Sequence, residues 1–253
     1  MNDKTIFGGL DPELLERVTS RRNAVGRTGK MAGAVALASM PVMFGLMARK
    51  AFAQAGGLPQ DIINVLNFAL TLEYLENDYY QTGLATGGLI PAADRAVFEP
   101  IAAHEAAHVA LLEGVLGANK VQKPTFDFTA SGTLDPFGDY ATFQALAQGF
   151  EDAGVRAYKG QATALMANDD ILTTALQIHS VEARHASAVR RLRGQKGWIT
   201  GNQTDVPQLQ AIYQGEEAAN GTASSPQAAE AFDEPLTMDQ VLAVAGSFIV
   251  AGV

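Results

Sequence analysis

The 253-residue chain has no cysteine, a single tryptophan and only four histidines. Without cysteine, disulfides and thiolate metal sites are both excluded. Any bound metal must be held by His, Asp and Glu, a donor set that suits iron, manganese or zinc better than copper(I) or an iron–sulfur cluster. Basic residues are scarce past residue 53. Residues 54–253 carry 10 Lys/Arg against 23 Asp/Glu, a net of −13, whereas residues 1–53 carry 8 against 4, a net of +4. So acidic a body would repel a phosphate backbone, which argues against nucleic-acid binding. It is compatible with cation binding, although most surface carboxylates simply keep a protein soluble. With 47% hydrophobic and 18% charged residues, the composition is that of a globular protein with one sizeable core or one core plus extensions.

The basic segment has its own logic. "SRRNAVGRTGK" (20–30) is followed by the uncharged "MAGAVALASMPVMFGLMA" (31–48) and then by "RKAFAQA" (49–55). A basic stretch, an apolar stretch and a small-x-small site are the parts of an export signal. Arg21-Arg22 resembles the bacterial twin-arginine signal, with Ala24 and Val25 where that signal usually has a bulky pair. Cleavage is expected after Ala53, with Ala55 as the second choice. The alternative is an N-terminal membrane anchor, since 18 uncharged residues could just span a bilayer. In either case the body is expected outside the cytoplasm, in the periplasm or cell envelope. The division expected is 1–53 signal or anchor, 54–200 helical bundle, and 201–253 irregular extension plus one C-terminal helix.

Past residue 56 the apolar period is helical. Ile62, Val65, Leu66, Ala69 and Leu72 recur at three- and four-residue steps. The first helix is expected from about Pro59 to Gly83, and the second over roughly 94–116, with Pro100 inside it. Residues 118–136 read as a long connection. The third helix is expected over 137–167, and the fourth from the Asn168–Asp170 cap to about Arg193. Residues 201–234, rich in Gly, Ser, Asn and Glu, should be mostly irregular. Thr237-x-x-Gln240 then offers a capping box for a short last helix.

"HEAAH" (104–108) contains two patterns. Read as His104-x-x-x-His108 with Glu105, it is the zinc-protease motif. Read as Glu105-x-x-His108, it has a counterpart at Glu182-x-x-His185. The second pattern belongs to a repeat. Tyr80 follows Glu73 by seven residues, as Tyr158 follows Glu151, and each Glu-x-x-His reaches a glycine, Gly117 or Gly194, twelve residues after its glutamate. This is the mark of a duplicated helical hairpin. Glu and His at i and i+3 share a helix face, and counting rises along the helices sets all four glutamates at nearly one height. Four carboxylates and two imidazoles would then converge at mid-bundle. Four buried carboxylates repel one another and lose hydration, and two divalent cations would cancel their charge. The zinc-protease reading leaves the repeat unexplained.

The pattern Glu…Glu-x-x-His…Glu…Glu-x-x-His resembles the ferritin-like di-iron/di-manganese carboxylate superfamily. The signal-like N-terminus, "FALTLEYLENDYY", "PIAAHEAAHVALL" and "AFDEPLTMDQVLAV" resemble more narrowly the exported bacterial ferritin-like group related to plant desiccation-associated proteins. The resemblance implies an all-α antiparallel four-helix bundle with one long crossover between the second and third helices. It implies Glu73, Glu105, His108, Glu151, Glu182 and His185 as ligands to two iron or manganese ions, ahead of zinc, with Glu105 and Glu182 bridging. It implies chemistry with O₂ or peroxide (ferroxidase, catalase-like or oxidase). The other expectation is a non-catalytic stress- or desiccation-associated envelope protein with a structural metal site. A homo-oligomer is compatible with either, and membrane contact is expected only through the signal or anchor.

Glu76 lies one turn from Glu73 and could replace it or add a further carboxylate, but Glu73 is the residue that the repeat aligns with Glu151. His179, one turn before Glu182, could support the site or be an ordinary interior histidine. His104 is expected on the flank of the second helix. Tyr80 and Tyr158 read first as packing residues and second as hydrogen-bonding or redox groups near the metals.

Overall fold

The computed structural model describes residues 57–217 and 230–250. The export signal, its Arg21-Arg22 pair and the cleavage positions at Ala53 and Ala55 lie outside the described residues. Among the described residues no helix is long and apolar enough to cross a membrane.

Four long helices, α1 (Gln60–Ala85), α2 (Arg95–Leu116), α3 (Tyr140–Gln161) and α4 (Asp169–Leu192), form an all-α bundle, with a short α5 (Met238–Ala245) after them. Their ends follow from local chemistry. Asp139 and Asn168 accept the backbone N–H groups of Thr142 and Ile171, capping α3 and α4, each cap contributing about 1 kcal/mol. Gly117 (φ 55°) closes α2, and Gly194 (φ 73°) follows α4, a left-handed turn that glycine adopts without strain. Thr237 and Gln240 make the expected capping box on α5. α3 is shorter than its apolar period predicts. Asp139 delays its start to Tyr140, and Ala162–Leu165 tighten into a 3₁₀ turn.

α1 packs along α2, α3 packs along α4, and the hairpins meet mainly through α1 against α3. The amino end of α1 shares one core with the carboxyl ends of α2 and α3 and the amino end of α4. α2 and α3 therefore run in the same direction, so the link between them must travel the bundle's length, about 33 Å for 22 residues of helix. Residues 117–139 do this. Halfway along, the Asp127 carboxylate gathers the N–H groups of Thr129 and Ser131, and Phe126 forms a lone antiparallel bridge with Ile249. The chain after α5 thus ties the crossover down.

The described part of 201–234 is mostly irregular, as expected, but it is not loose. Pro207–Tyr213 form a 3₁₀ turn whose Leu209, Ile212 and Tyr213 are buried in the core. Arg156 of α3, fully buried, donates to the carbonyls of Ile212, Gln214 and Glu234 and pairs with the Glu216 carboxylate at 3.0 Å. Beside it Asp152 pairs with Arg190 and accepts the Tyr213 hydroxyl at 2.7 Å. Arg156→Ala would leave Glu216 buried without its cation and three carbonyls without a donor. The expected cost is ~3–5 kcal/mol in denaturant unfolding; a loss below 1 kcal/mol would show that the extension is held by its apolar side chains alone.

Candidate metal centre

Midway along the bundle the four long helices turn one face each toward a common point. Glu73 comes from α1, Glu105 and His108 from α2, Glu151 from α3, and Glu182 and His185 from α4. All four carboxylates are completely buried, and the two imidazoles nearly so. Their donor atoms form two overlapping groups, Glu73–Glu105–His108–Glu182 and Glu105–Glu151–Glu182–His185, each with its atoms within 4.8 Å of one another. Glu105 and Glu182 belong to both. The Glu-x-x-His pairs produce this directly, because a three-residue step carries both side chains to one side of a helix.

The side chains make hydrogen-bond contact at His108 Nδ1 but not at His185 Nδ1. His108 Nδ1 is 3.1 Å from Glu73 Oε2, 3.1 Å from Glu105 Oε2 and 3.3 Å from Glu182 Oε1. His185 Nδ1 is 2.8 Å from Glu105 Oε1 and 3.2 Å from Glu151 Oε2, yet neither approach is aligned as a hydrogen bond. Glu105 Oε1, Glu151 Oε2, both Glu182 oxygens and His185 Nδ1 are buried without a hydrogen-bond partner. Buried polar atoms are nearly always paired, and leaving one unpaired costs about 1–3 kcal/mol. Five such atoms on four neighbouring residues fit a pair of cations, and the all-oxygen-and-imidazole set fits iron or manganese. Gly154 completes the cradle, since a Cβ there would stand 2.9 Å from Glu182 Oε2.

Crowding without a cation disturbs every proton affinity in the cluster. Burial, then the charge of Glu182, pushes Glu105 up to about 7. Burial, then the charge of Glu73, pushes Glu182 up to about 8. Burial raises Glu151 against the pull of His185. Burial would raise Glu73 too, but the His108 charge beside it holds it below the usual carboxylate range. Burial alone would depress the imidazoles; the Glu73 charge carries His108 well up, and the Glu151 charge with contacts to Glu105 carries His185 to about 11. Bound protons here offset part of the carboxylates' negative charge.

A surrounding layer holds the cluster. Tyr80 of α1 donates to Glu151 Oε1 on α3 at 2.5 Å, and Tyr158 of α3 donates to Glu73 Oε1 on α1 at 2.5 Å. The cross-pairing reproduces the repeat in three dimensions and promotes both tyrosines from packing residues to orienting ones. Their seven-residue spacing from a glutamate of the same helix was the sequence signal. His104 lies on the exposed flank of α2, as expected. Its ring stacks on His185, and its Nδ1 is 2.9 Å from His185 Nε2. It belongs to neither donor group, so "HEAAH" does not present its two histidines to one point.

The two additional candidates lie differently. Glu76 is buried under the cluster, and burial together with the charges of Glu182, Glu151, Glu105 and Glu73 raises it well above the carboxylate range. It lines a small apolar recess with Gly154, Leu209 and Val241, and is in neither donor group. His179 is half-buried, with Nε2 unpartnered and the charges of Lys159 and Asp233 acting on it. Gly154 was not singled out from sequence, although it sits one turn from Glu151 on the same face. A Glu76→Gln variant is expected to keep the wild-type metal content, measured by elemental analysis. A fall by half would make Glu76 a ligand.

The sequence profile of the ferritin-like domain family matches residues 61–195, spanning all four helices and all six residues of the cluster. The chain belongs to that family. Comparison with curated proteins returns no match.

Proposed function

We propose that Glu73, Glu105, His108, Glu151, Glu182 and His185 hold two iron or manganese ions, bridged by Glu105 and Glu182, and that the loaded protein carries out redox chemistry with dioxygen or peroxide. The observation that carries this reading is the sharing of Glu105 and Glu182 between two donor groups, five of whose buried atoms lack hydrogen-bond partners. Bound there, the metals would supply redox change and an open coordination position for the oxidant.

The chain's own residues do the rest. The carboxylates give the site the negative charge that favours higher-valent metal. Tyr80 and Tyr158 fix Glu151 and Glu73 in place through the oxygens that face away from the imidazoles. His104, held below the usual histidine range by burial and the neighbouring His185, accepts from His185 Nε2–H. That tautomer leaves His185 Nδ1 free as a ligand. The complete burial of the carboxylates keeps bulk water away. The basic and apolar character of residues 1–53 supports placing this chemistry outside the cytoplasm, in the periplasm or envelope.

The test is turnover. The protein loaded with Fe(II), and separately with Mn(II), is given dioxygen or hydrogen peroxide; dioxygen is followed with an oxygen electrode and peroxide by its ultraviolet absorbance. Metal-dependent consumption that disappears on chelation supports the proposal. A fully loaded protein that consumes neither oxidant overturns the redox reading and leaves the metals a structural role.

A further inference from the structure

The two ends of the bundle are filled differently around the same cluster. Toward the carboxyl end of α1, the positions one and two turns from the ligands hold Tyr80, Phe98, Ile101 and Val189, all buried. Tyr79, Phe143 and Phe150 pack behind them, with Tyr79 stacked on Phe143 at 5.0 Å. Toward the amino end of α1, equivalent positions hold Ala69, four before Glu73, and Ala175, seven before Glu182, with Ala157 beside Tyr158. Small side chains there leave a cavity of about 280 Å³ between the four helices. Leu112, one turn after His108, and Ile178, one turn before Glu182, form its inner walls. From Leu72 to Val65 it extends roughly 10 Å along α1.

Its inner end touches the metal cluster through one residue. Tyr158 lines the cavity and donates to Glu73 Oε1. The walls are apolar, aliphatic but for Phe68 and Tyr158, while Gln161, Asp170, Thr174 and Gln177 stand at the mouth on α3 and α4. No Lys or Arg lines it. An apolar cavity of this size does not hold water well and takes up apolar molecules, and uncharged donors at its mouth suit a neutral polar end.

We propose that this cavity binds a neutral amphipathic organic molecule, an alkyl chain with a hydroxyl-type head, with the apolar end beside Tyr158 and the head at Gln161 and Thr174. The proposal names the ligand class for the site and rests on the reading of that site as a dimetal centre. Negatively charged chain ends are disfavoured at the mouth by Asp170 and by the lack of a cation.

The test titrates the full-length protein with 1-octanol by calorimetry, both metal-free and metal-loaded, and repeats it with Ala69→Leu and Ala175→Leu, which fill the cavity from opposite walls. Saturable 1:1 binding is expected in the wild type and about tenfold or weaker binding in each variant, with metal content unchanged. Absence of saturable binding, or binding in both variants as tight as in the wild type, overturns the proposal. So does self-association through this mouth that excludes octanol, which would assign it to a second copy. A protein that binds octanol but never takes up metal would overturn the dimetal reading alone, and one that holds two metals but ignores octanol would overturn only the pocket.

Discussion

Glu182→Gln is expected to abolish stable metal loading at both positions while making the metal-free protein more stable. The two effects share one cause. Glu182 belongs to both donor groups, both its oxygens are buried and unpartnered, and its neighbours include three further carboxylates. With metal bound, its charge would serve both donor groups; without metal, it is an uncompensated buried charge. Removing it should weaken metal binding by more than about 100-fold, since loss of outer partners alone costs 10- to 100-fold. Above pH 8, where Glu182 would otherwise ionise, unfolding of the metal-free variant should need more denaturant than the wild type. Glu105→Gln should behave alike, and Glu113→Gln, which only meets Tyr74 and Lys120 at the surface, should change neither property. A Glu182→Gln protein that binds two metals as tightly as wild type would mean that the bridging assignment is wrong.

The second large effect is a reversal of pH dependence on metal binding. In the metal-free protein Glu105 and Glu182 are raised to about 7 and about 8, and Glu76 and Glu151 are raised as well. The folded state therefore holds protons that the unfolded chain has released above about pH 4.5, and stability falls as pH rises through 4.5 to 8. His185, raised to about 11, has the same sign: its contribution is complete below the ordinary histidine range and is lost toward pH 11. Glu73, held low, opposes them only below its unfolded value. Metal ligands must be deprotonated, so loading strengthens over the same window. The melting temperature of metal-free protein should fall between pH 5 and 8, while that of metal-saturated protein holds or rises. With metal near a thousand times its dissociation constant, the gap corresponds to about 4 kcal/mol for each ion bound, or roughly 10 °C per ion for a domain of this size. Parallel curves, with and without metal, would show that the cluster's protons and its metal do not compete.

What could be read from the chain was whatever the helix period carries. Glu105-x-x-His108 and Glu182-x-x-His185 lie within single turns, and the repeat extends the same reading to Glu73 and Glu151, so their convergence needs only helix geometry. Asp139, Asn168 and Thr237 announce helix starts through their own side chains. The Arg156 lock left no such trace, because its partners at Ile212, Gln214 and Glu216 are about sixty residues away and approach in an irregular segment. A lone arginine inside an apolar helix face was the available hint. The cavity is invisible for another reason: Ala69, Ala157 and Ala175 are good helix formers everywhere, and only their meeting across three helices makes a space. Glu73 and Glu76 share a face one turn apart; the repeat favours Glu73, and in three dimensions Glu73 reaches His108 while Glu76 lines a recess with Gly154.

The most direct test is the metal content of the full-length protein, purified without chelator and measured by elemental analysis for iron, manganese and zinc. About two iron or manganese ions per chain are expected, the number that offsets four buried carboxylates. A single zinc per chain, or no metal after reconstitution with Fe(II) and Mn(II), would contradict the dimetal centre.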